Sequence, residues 1–263
     1  MCVSAESSLI IGSLLLAEGA VCVILVLRSS LSSTDKAGLL PFSIVPFIVS
    51  AQQLSESFIW DSNAENRAAI SFSFAFLLIL LPVGIPVAII SLELTRPNKI
   101  LPMEQIVWVF RCEIKQSSRF ILLFLSLFAG LSVAIFSVLD IVNGIGADIS
   151  RNRIIYSYNH HQDIVYRLIS VLYSLAIFAP ILLSSVSHLS MYLAGIPLAL
   201  ITAVSIAIYY SKGSAPVWCF LLVALNLVLF KILLSEIGFR QRNSVENEKL
   251  LNYGSAPVEA AEV

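Results

Sequence analysis

The sequence predicts an all-α integral membrane bundle of seven transmembrane helices, N-terminus outside and C-terminus inside, on three observations. Charge is scarce: the 263 residues carry 16 Lys+Arg and 17 Asp+Glu, 13% of the chain, about half the ~25% of a soluble domain. Apolar residues make up 58%, and the mean hydropathy is +0.90. These residues fall in continuous runs of roughly 18 to 23, the length that a ~30 Å hydrocarbon core demands of a helix. Continuous runs rather than dyad alternation point to helices and not a barrel. A net charge of -1 supplies neither the basic field of a nucleic-acid binder nor the self-repulsion of a disordered chain.

Seven runs qualify: about Ser8 to Leu27, Gly38 to Ile59, Ile70 to Leu92, Phe120 to Val142, Tyr166 to Ser185, Ser190 to Tyr209 and Pro216 to Glu236. No Lys or Arg precedes the first, and Glu18 interrupts it, so it reads as a mature helix rather than a signal peptide. Cys22 follows Gly19-Ala20-Val21, without the leucine of a lipobox, and no lipid anchor is expected. The third run contains Pro82-Val-Gly-Ile-Pro86, a kink signal shared by Pro180 in the fifth and Gly195-Ile-Pro197 in the sixth. Between the third and fourth, Met103, Ile106, Val107, Phe110 and Ile114 recur at helical spacing behind Pro102. That spacing predicts either an interfacial helix over 103-115 or an extension of a neighbouring span. Only Val186 to Leu189 separate the fifth and sixth runs, so a six-span bundle with one re-entrant hairpin stays open. Residues 1-238 form the membrane domain, and the polar stretch 239-263 reads as a disordered cytosolic tail.

Orientation follows from Lys and Arg, which are retained in cytoplasmic loops. With the N-terminus outside, ten fall inside (Arg28, Lys36, Arg96, Lys99, Arg111, Lys115, Arg119, Arg240, Arg242, Lys249) and five outside (Arg67, Arg151, Arg153, Arg167, Lys212). Glu18 and Lys231 are the deepest opposite charges; they either pair across the first and seventh helices, or Lys231 snorkels away.

An ionisable or amide side chain inside a bilayer is expensive, which draws attention to the outer end of the second helix. Gln52, Gln53, Glu56 and Trp60 share one face there at i,i+3 and i,i+4 spacing. The same topology brings Cys2, Ser4, Tyr156, Tyr158, His160, His161, Asp163 and Trp218 to that level. Two readings follow. In one, Gln52, Gln53, Glu56, Trp60 and Trp218 bind a small ligand or ion for sensing or transport. In the other, a membrane-embedded hydrolase or transferase acts on a lipid headgroup, with Cys2 or Ser4 as nucleophile and Glu56 or His160 as base. Scattered cysteines and the lack of nucleotide, zinc or calcium motifs imply no cofactor and no metal. The bilayer is the one partner that composition dictates, and nothing in the sequence sets an oligomeric state.

Three segments, Met1-Cys2-Val3-Ser4-Ala5, Gln52-Gln53-Leu54-Ser55-Glu56-Ser57-Phe58-Ile59-Trp60 and Val217-Trp218-Cys219-Phe220, resemble an uncharacterised family of bacterial multi-pass membrane proteins. Those proteins open with Met-Cys-Phe-Ser-Ala, carry Gln-Gln-x-x-Glu-x-x-x-Trp in the second helix and begin the seventh with Trp-Cys. The stretch from Leu172 to Ser185 is similar to the family's fifth helix. Two departures are Val3 in place of phenylalanine and Asn152-Arg153 where the family has histidines before an Ile-x-Tyr. The resemblance implies a multi-pass protein of a bacterial inner membrane and supplies no reaction.

Overall fold

The computed structural model describes residues 4-96, 106-109, 112-149, 154-157, 163-184 and 215-254; at 106-109, 112-114, 155, 163-166, 215-225 and 246-254 only the backbone is described. The first three helical segments to follow a loop each start behind a short polar side chain that accepts from a first-turn N–H. Helix α1 (Ala5–Arg28) starts behind Ser4, whose hydroxyl accepts from the Ser7 N–H while the Ser7 hydroxyl accepts from the Ser4 N–H. Helix α2 (Ser33–Asp61) starts behind Ser32, which accepts from the Asp35 N–H. Lys36 Nζ donates to the Leu27 carbonyl at 2.9 Å, binding the start of α2 to the last turn of α1. Helix α3 (Arg67–Ala75) starts behind Asn66 and runs through a π-helical stretch, Phe76–Leu80, into α4 (Leu81–Thr95). The π turn has a local cause: Pro82 has no N–H to give the Leu78 carbonyl, and just before it the Leu81 N–H bonds the Phe76 carbonyl.

A hairpin of β1 (Ile106–Val109) and β2 (Cys112–Lys115) leads into α5 (Gln116–Asn143), and a second hairpin, β3 (Gly146–Ile149) with β4 (Ile154–Ser157), follows it. Helices α6 (Asp163–Leu183) and α7 (Ala215–Gly254) complete the described chain. Helix α2 packs between α1 and α4, α5 between α4 and α6, and α7 against α1 and α2. The core between them is built from Leu39, Phe42, Val49, Ile85, Ile89, Leu123, Ile177 and Ile232. Because short turns join α1 to α2 and α2 to α3, these helices are antiparallel. The bundle therefore has a Glu56 end, where α1 and α3 begin, and an Arg240 end, where α2 and α5 begin.

Among the described residues four helices are long and apolar enough to cross a membrane: Ala5–Arg28, Ser33–Asp61, Arg67–Thr95 and Gln116–Asn143. They contain the first four expected runs. The fifth run falls on the shorter apolar helix Arg167–Leu183 and the seventh within α7, while the sixth, 190-209, lies outside the described residues. Leu14, Phe72, Phe128, Ile135 and Val142 stand exposed on the outside of the bundle, a surface that suits hydrocarbon rather than water.

Two expectations are corrected, and of one pair of alternatives the structure shows one. Within 103-115 the described residues, 106-109 and 112-115, form no interfacial helix: Ile106 pairs with Lys115 and Val109 with Cys112 in an antiparallel ladder. Ile-Val-Trp-Val is rich in β-branched and aromatic residues, and this preference outweighed a helical spacing that Trp108 and Val109 had already blurred. The chain does not lose structure at Phe239, since α7 runs on to Gly254 and Arg240 is 1% exposed. Of the two readings of Glu18 and Lys231, the ion pair within the chain is the one that does not form. Lys231 is exposed, while Ile232 and Leu233 carry the buried face of that turn.

Candidate functional site

At the Glu56 end the sequence placed three polar side chains on one helical face, and the structure joins them in a directed chain. Gln53 Nε2 donates to Gln52 Oε1 at 2.5 Å, and Gln52 Nε2 donates to Glu56 Oε1 at 2.5 Å. All three are buried, with Glu56 3% exposed. Buried amides and carboxylates persist in an apolar bundle only when hydrogen-bonded, and this relay supplies two of the bonds they need. Trp60, one turn on, packs beside Ile59, Ile70, Phe74 and Tyr156, and its buried Nε1 has no hydrogen-bond partner. The hydroxyl of Ser8, fully buried near the start of α1, is likewise unpartnered. One turn deeper, Ser50 Oγ donates to the Gly12 carbonyl at 2.7 Å and fixes α1 against α2.

The second hairpin covers part of this end. Tyr156, expected as a loop hydroxyl, is buried: its hydroxyl lies 2.7 Å from Ser73 Oγ, and its ring meets Phe74 edge to face at 5.9 Å. Ser4, a candidate nucleophile, is instead the exposed N-cap of α1, with its oxygen engaged by Ser7. Cys2, Tyr158, His160 and His161 lie outside the described residues, as do the side chains of Asp163 and Trp218. Among the described residues no three His, Cys, Asp or Glu side chains gather as a metal would require. A crevice of about 310 Å³ opens between α1, α2 and the π turn, lined by Leu16, Phe47, Ile48, Ser50, Ala51, Leu54 and Phe76. Ala51 and Leu54 sit on the opposite side of α2 from Gln52 and Glu56, and the apolar lining fits hydrocarbon rather than a polar solute.

The Arg240 end holds what sequence reasoning missed. Arg240 is fully buried and satisfies four groups on two other helices: Asp35 Oδ1 at 2.8 Å, the Thr95 carbonyl and hydroxyl at 3.2 Å each, and the Leu92 carbonyl at 3.1 Å. Its Nε lies 3.7 Å from Glu236, which also pairs with Arg96 at 3.0 Å; Arg96 in turn stacks over Phe239 with 4.7 Å to the ring centre. Arg119 pairs with Glu93 at 2.8 Å, and the Ser184 hydroxyl donates to the other Glu93 oxygen at 2.8 Å. Three arginines thus balance three acids, tying α2, α4, α5, the end of α6 and α7 together. In the sequence these arginines register only as loop charges. The usable signal was that Asp35, Glu93 and Glu236 fall at the same expected depth as Arg96, Arg119 and Arg240. Arg240 also acts as a cap, since the last turn of α4 leaves carbonyls that no helical N–H can reach.

No protein-family model, curated protein or solved structure matches the chain.

Proposed function

We propose that this is a seven-span membrane protein, N-terminus outside and C-terminus inside, that recognises a small polar ligand or ion at the Glu56 end for sensing or transport. The observation that carries this reading is the buried Gln53–Gln52–Glu56 relay on α2. Packing between helices needs no carboxyl group, and an acidic side chain is costly within a membrane helix, on the order of 2.5–3.5 kcal/mol at its centre and less toward the end where Glu56 sits. A carboxyl group oriented by an amide, as Glu56 is by Gln52, has the chemistry that a cation or a hydrogen-bond donor calls for. The ten-to-five distribution of Lys and Arg supports the orientation. The family resemblance supports a bacterial inner membrane as its location. The enzyme reading now rests on Cys2 with Glu56 or His160, since Ser4 caps a helix.

Two experiments test the proposal. A cysteine introduced at Ser62, in the turn after α2, is expected to react with a membrane-impermeant maleimide in intact cells. Reaction only after permeabilisation would reverse the orientation and move the Glu56 end to the cytosol. Glu56→Gln keeps the shape and removes the charge. Cells making equal amounts of wild type and Glu56→Gln are expected to differ in the level of a small solute or ion when whole metabolite and element profiles are compared. A difference confined to lipid headgroup species would favour the enzyme, and matching profiles would leave the ligand site without support.

A further inference from the structure

Glu18 and Lys231 make no ion pair within the chain, yet they stand at one depth on neighbouring helices. Glu18 lies nine residues before Leu27, whose carbonyl takes Lys36 Nζ, and Lys231 lies nine before Arg240, which bonds Asp35. Asp35 and Lys36 are adjacent in the first turns of α2, so both charges sit about 14 Å from that level at 1.5 Å per residue. Because α7 reaches Arg240 at the end where α1 finishes, the two helices run in the same sense, and they pack against each other. This level is well inside the apolar helix Ala5–Arg28, where a charge is costly unless it finds a partner.

Both charges lie on the outer surface that α1 and α7 share. Leu16 lines the crevice on one flank of α1, and Glu18, two residues on and about 200° further round, lies on the opposite flank. Besides α2, α1 packs against α7, which puts Glu18 beside that helix. Glu18 is half-buried and its Oε1 has no hydrogen-bond partner; Lys231 is exposed, and neither enters an ion pair among the described residues. The apolar side chains around them repeat in the same steps on both helices. Leu14, Glu18, Val21 and Leu25 follow at four, three and four residues, and Leu227, Lys231 and Leu234 at four and three. Steps of this kind make a seam that a facing helix fills. The seam is open, since Leu14 is 65% exposed and Leu227 61%.

We propose that a second copy of this chain docks on the α1–α7 face, with Glu18 of each copy paired to Lys231 of the other. A two-fold axis along the membrane normal keeps every residue at its own depth, and it sets α1 of each copy against α7 of the other. Glu18 then meets the partner's Lys231, and the same contact is made a second time across the axis. Charge complementarity selects this occupant: a copy related in this way brings a cation to the acid and an acid to the cation, whereas a lipid chain brings neither. Leu14 and Val21 come level with the partner's Leu227 and the partner's Leu234, so that each seam supplies the knobs for the other. The inference is independent of the Glu56 reading, since it uses the outer surface of α1 and α7 and none of Gln52, Gln53 or Glu56.

The experiment mixes full chains carrying two different affinity tags in lipid vesicles, dissolves the vesicles in a mild detergent and measures how much of one tagged copy co-purifies with the other. Glu18→Lys and Lys231→Glu each put like charges opposite one another at both contacts, and each alone is expected to lower co-purification about tenfold or more. A mixture of the two variants restores opposite charges at both contacts between unlike copies, and it is expected to co-purify as wild type does. Mixing could not rescue a pair formed inside one chain. A second measurement needs no charge reversal and decides the matter if a variant does not fold. With the four native cysteines replaced by alanine, a Val21→Cys copy mixed with a Leu234→Cys copy is expected to give a disulfide-linked dimer on oxidation, and Val21→Cys alone is not. Wild type that does not co-purify, folded charge variants that co-purify as wild type does, a mixture no better than either variant alone, or a mixed cysteine pair that links no more than Val21→Cys by itself would overturn the proposal.

Discussion

Replacing Arg240 with alanine is expected to cost the folded bundle about 3–5 kcal/mol, because it leaves the half-buried Asp35 without its counter-ion, the buried Glu236 with one arginine in place of two, and α4 without its cap. Three partners lose their bonds together: the Asp35 carboxylate at 2.8 Å, the Leu92 carbonyl at 3.1 Å and the Thr95 carbonyl and hydroxyl at 3.2 Å. Glu236 would keep Arg96 alone. Reversible unfolding of the purified protein in mixed micelles measures the loss. Arg240→Lys should fall between, since a lysine keeps the charge but cannot reach carbonyls on α4 and a carboxylate on α2 with one planar group. Added salt should change the wild-type value little, because all of these ions except the half-buried Asp35 are buried. A loss below about 1 kcal/mol for Arg240→Ala, the ordinary worth of an exposed pair, would mean that the network is not buried as described.

The second large effect is expected at Gly130, where α5 crosses α4. A Cβ built there would stand 2.1 Å from the Pro82 carbonyl oxygen and 2.8 Å from its carbon, both backbone atoms that cannot rotate away. The closeness has a reason in the sequence. The helical partner of the Pro82 carbonyl would be the N–H of residue 86, and Pro86 has none. A glycine lets α5 come against that carbonyl and cover it with its own Cα–H. Gly130→Ala must push two helices apart and is expected to cost roughly 1–3 kcal/mol, as overpacking does; Gly130→Val should cost more. Gly238 in α7 supplies the control: its Cβ would meet nothing within 4 Å. Gly238→Ala should therefore be neutral or stabilise by up to about 1 kcal/mol through helix propensity. If both alanine variants unfold at the same midpoint, the close α4–α5 approach is wrong.

The sequence by itself determined where the apolar helices lie and which side chains occupy one face of α2. Length and hydropathy are properties of single segments, so Ser8 to Leu27, Gly38 to Ile59, Ile70 to Leu92 and Phe120 to Val142 each appear within a described helix. Gln52, Gln53 and Glu56 are joined because i,i+4 spacing and adjacency within one helix are local geometry. Everything that depends on which helices are neighbours was decided by the tertiary structure. Arg240 stands 205 residues from Asp35 in sequence, and Ser184 stands 91 from Glu93; no periodicity links them, and a charge near a span end reads the same whether it faces water or a buried acid. Tyr156 is another case, since an isolated aromatic in a loop carries no sign that it will bond Ser73 across the chain. The segment 103-115 failed for the opposite reason. Its local signal was ambiguous between helix and strand, and Ile106–Val109 paired with Cys112–Lys115 as a hairpin. In an apolar chain segment identity is cheap to read, because the bilayer imposes it on each segment separately. The pairing of buried charges is set only when helices pack, because only then does leaving a carboxylate or guanidinium unmatched become costly.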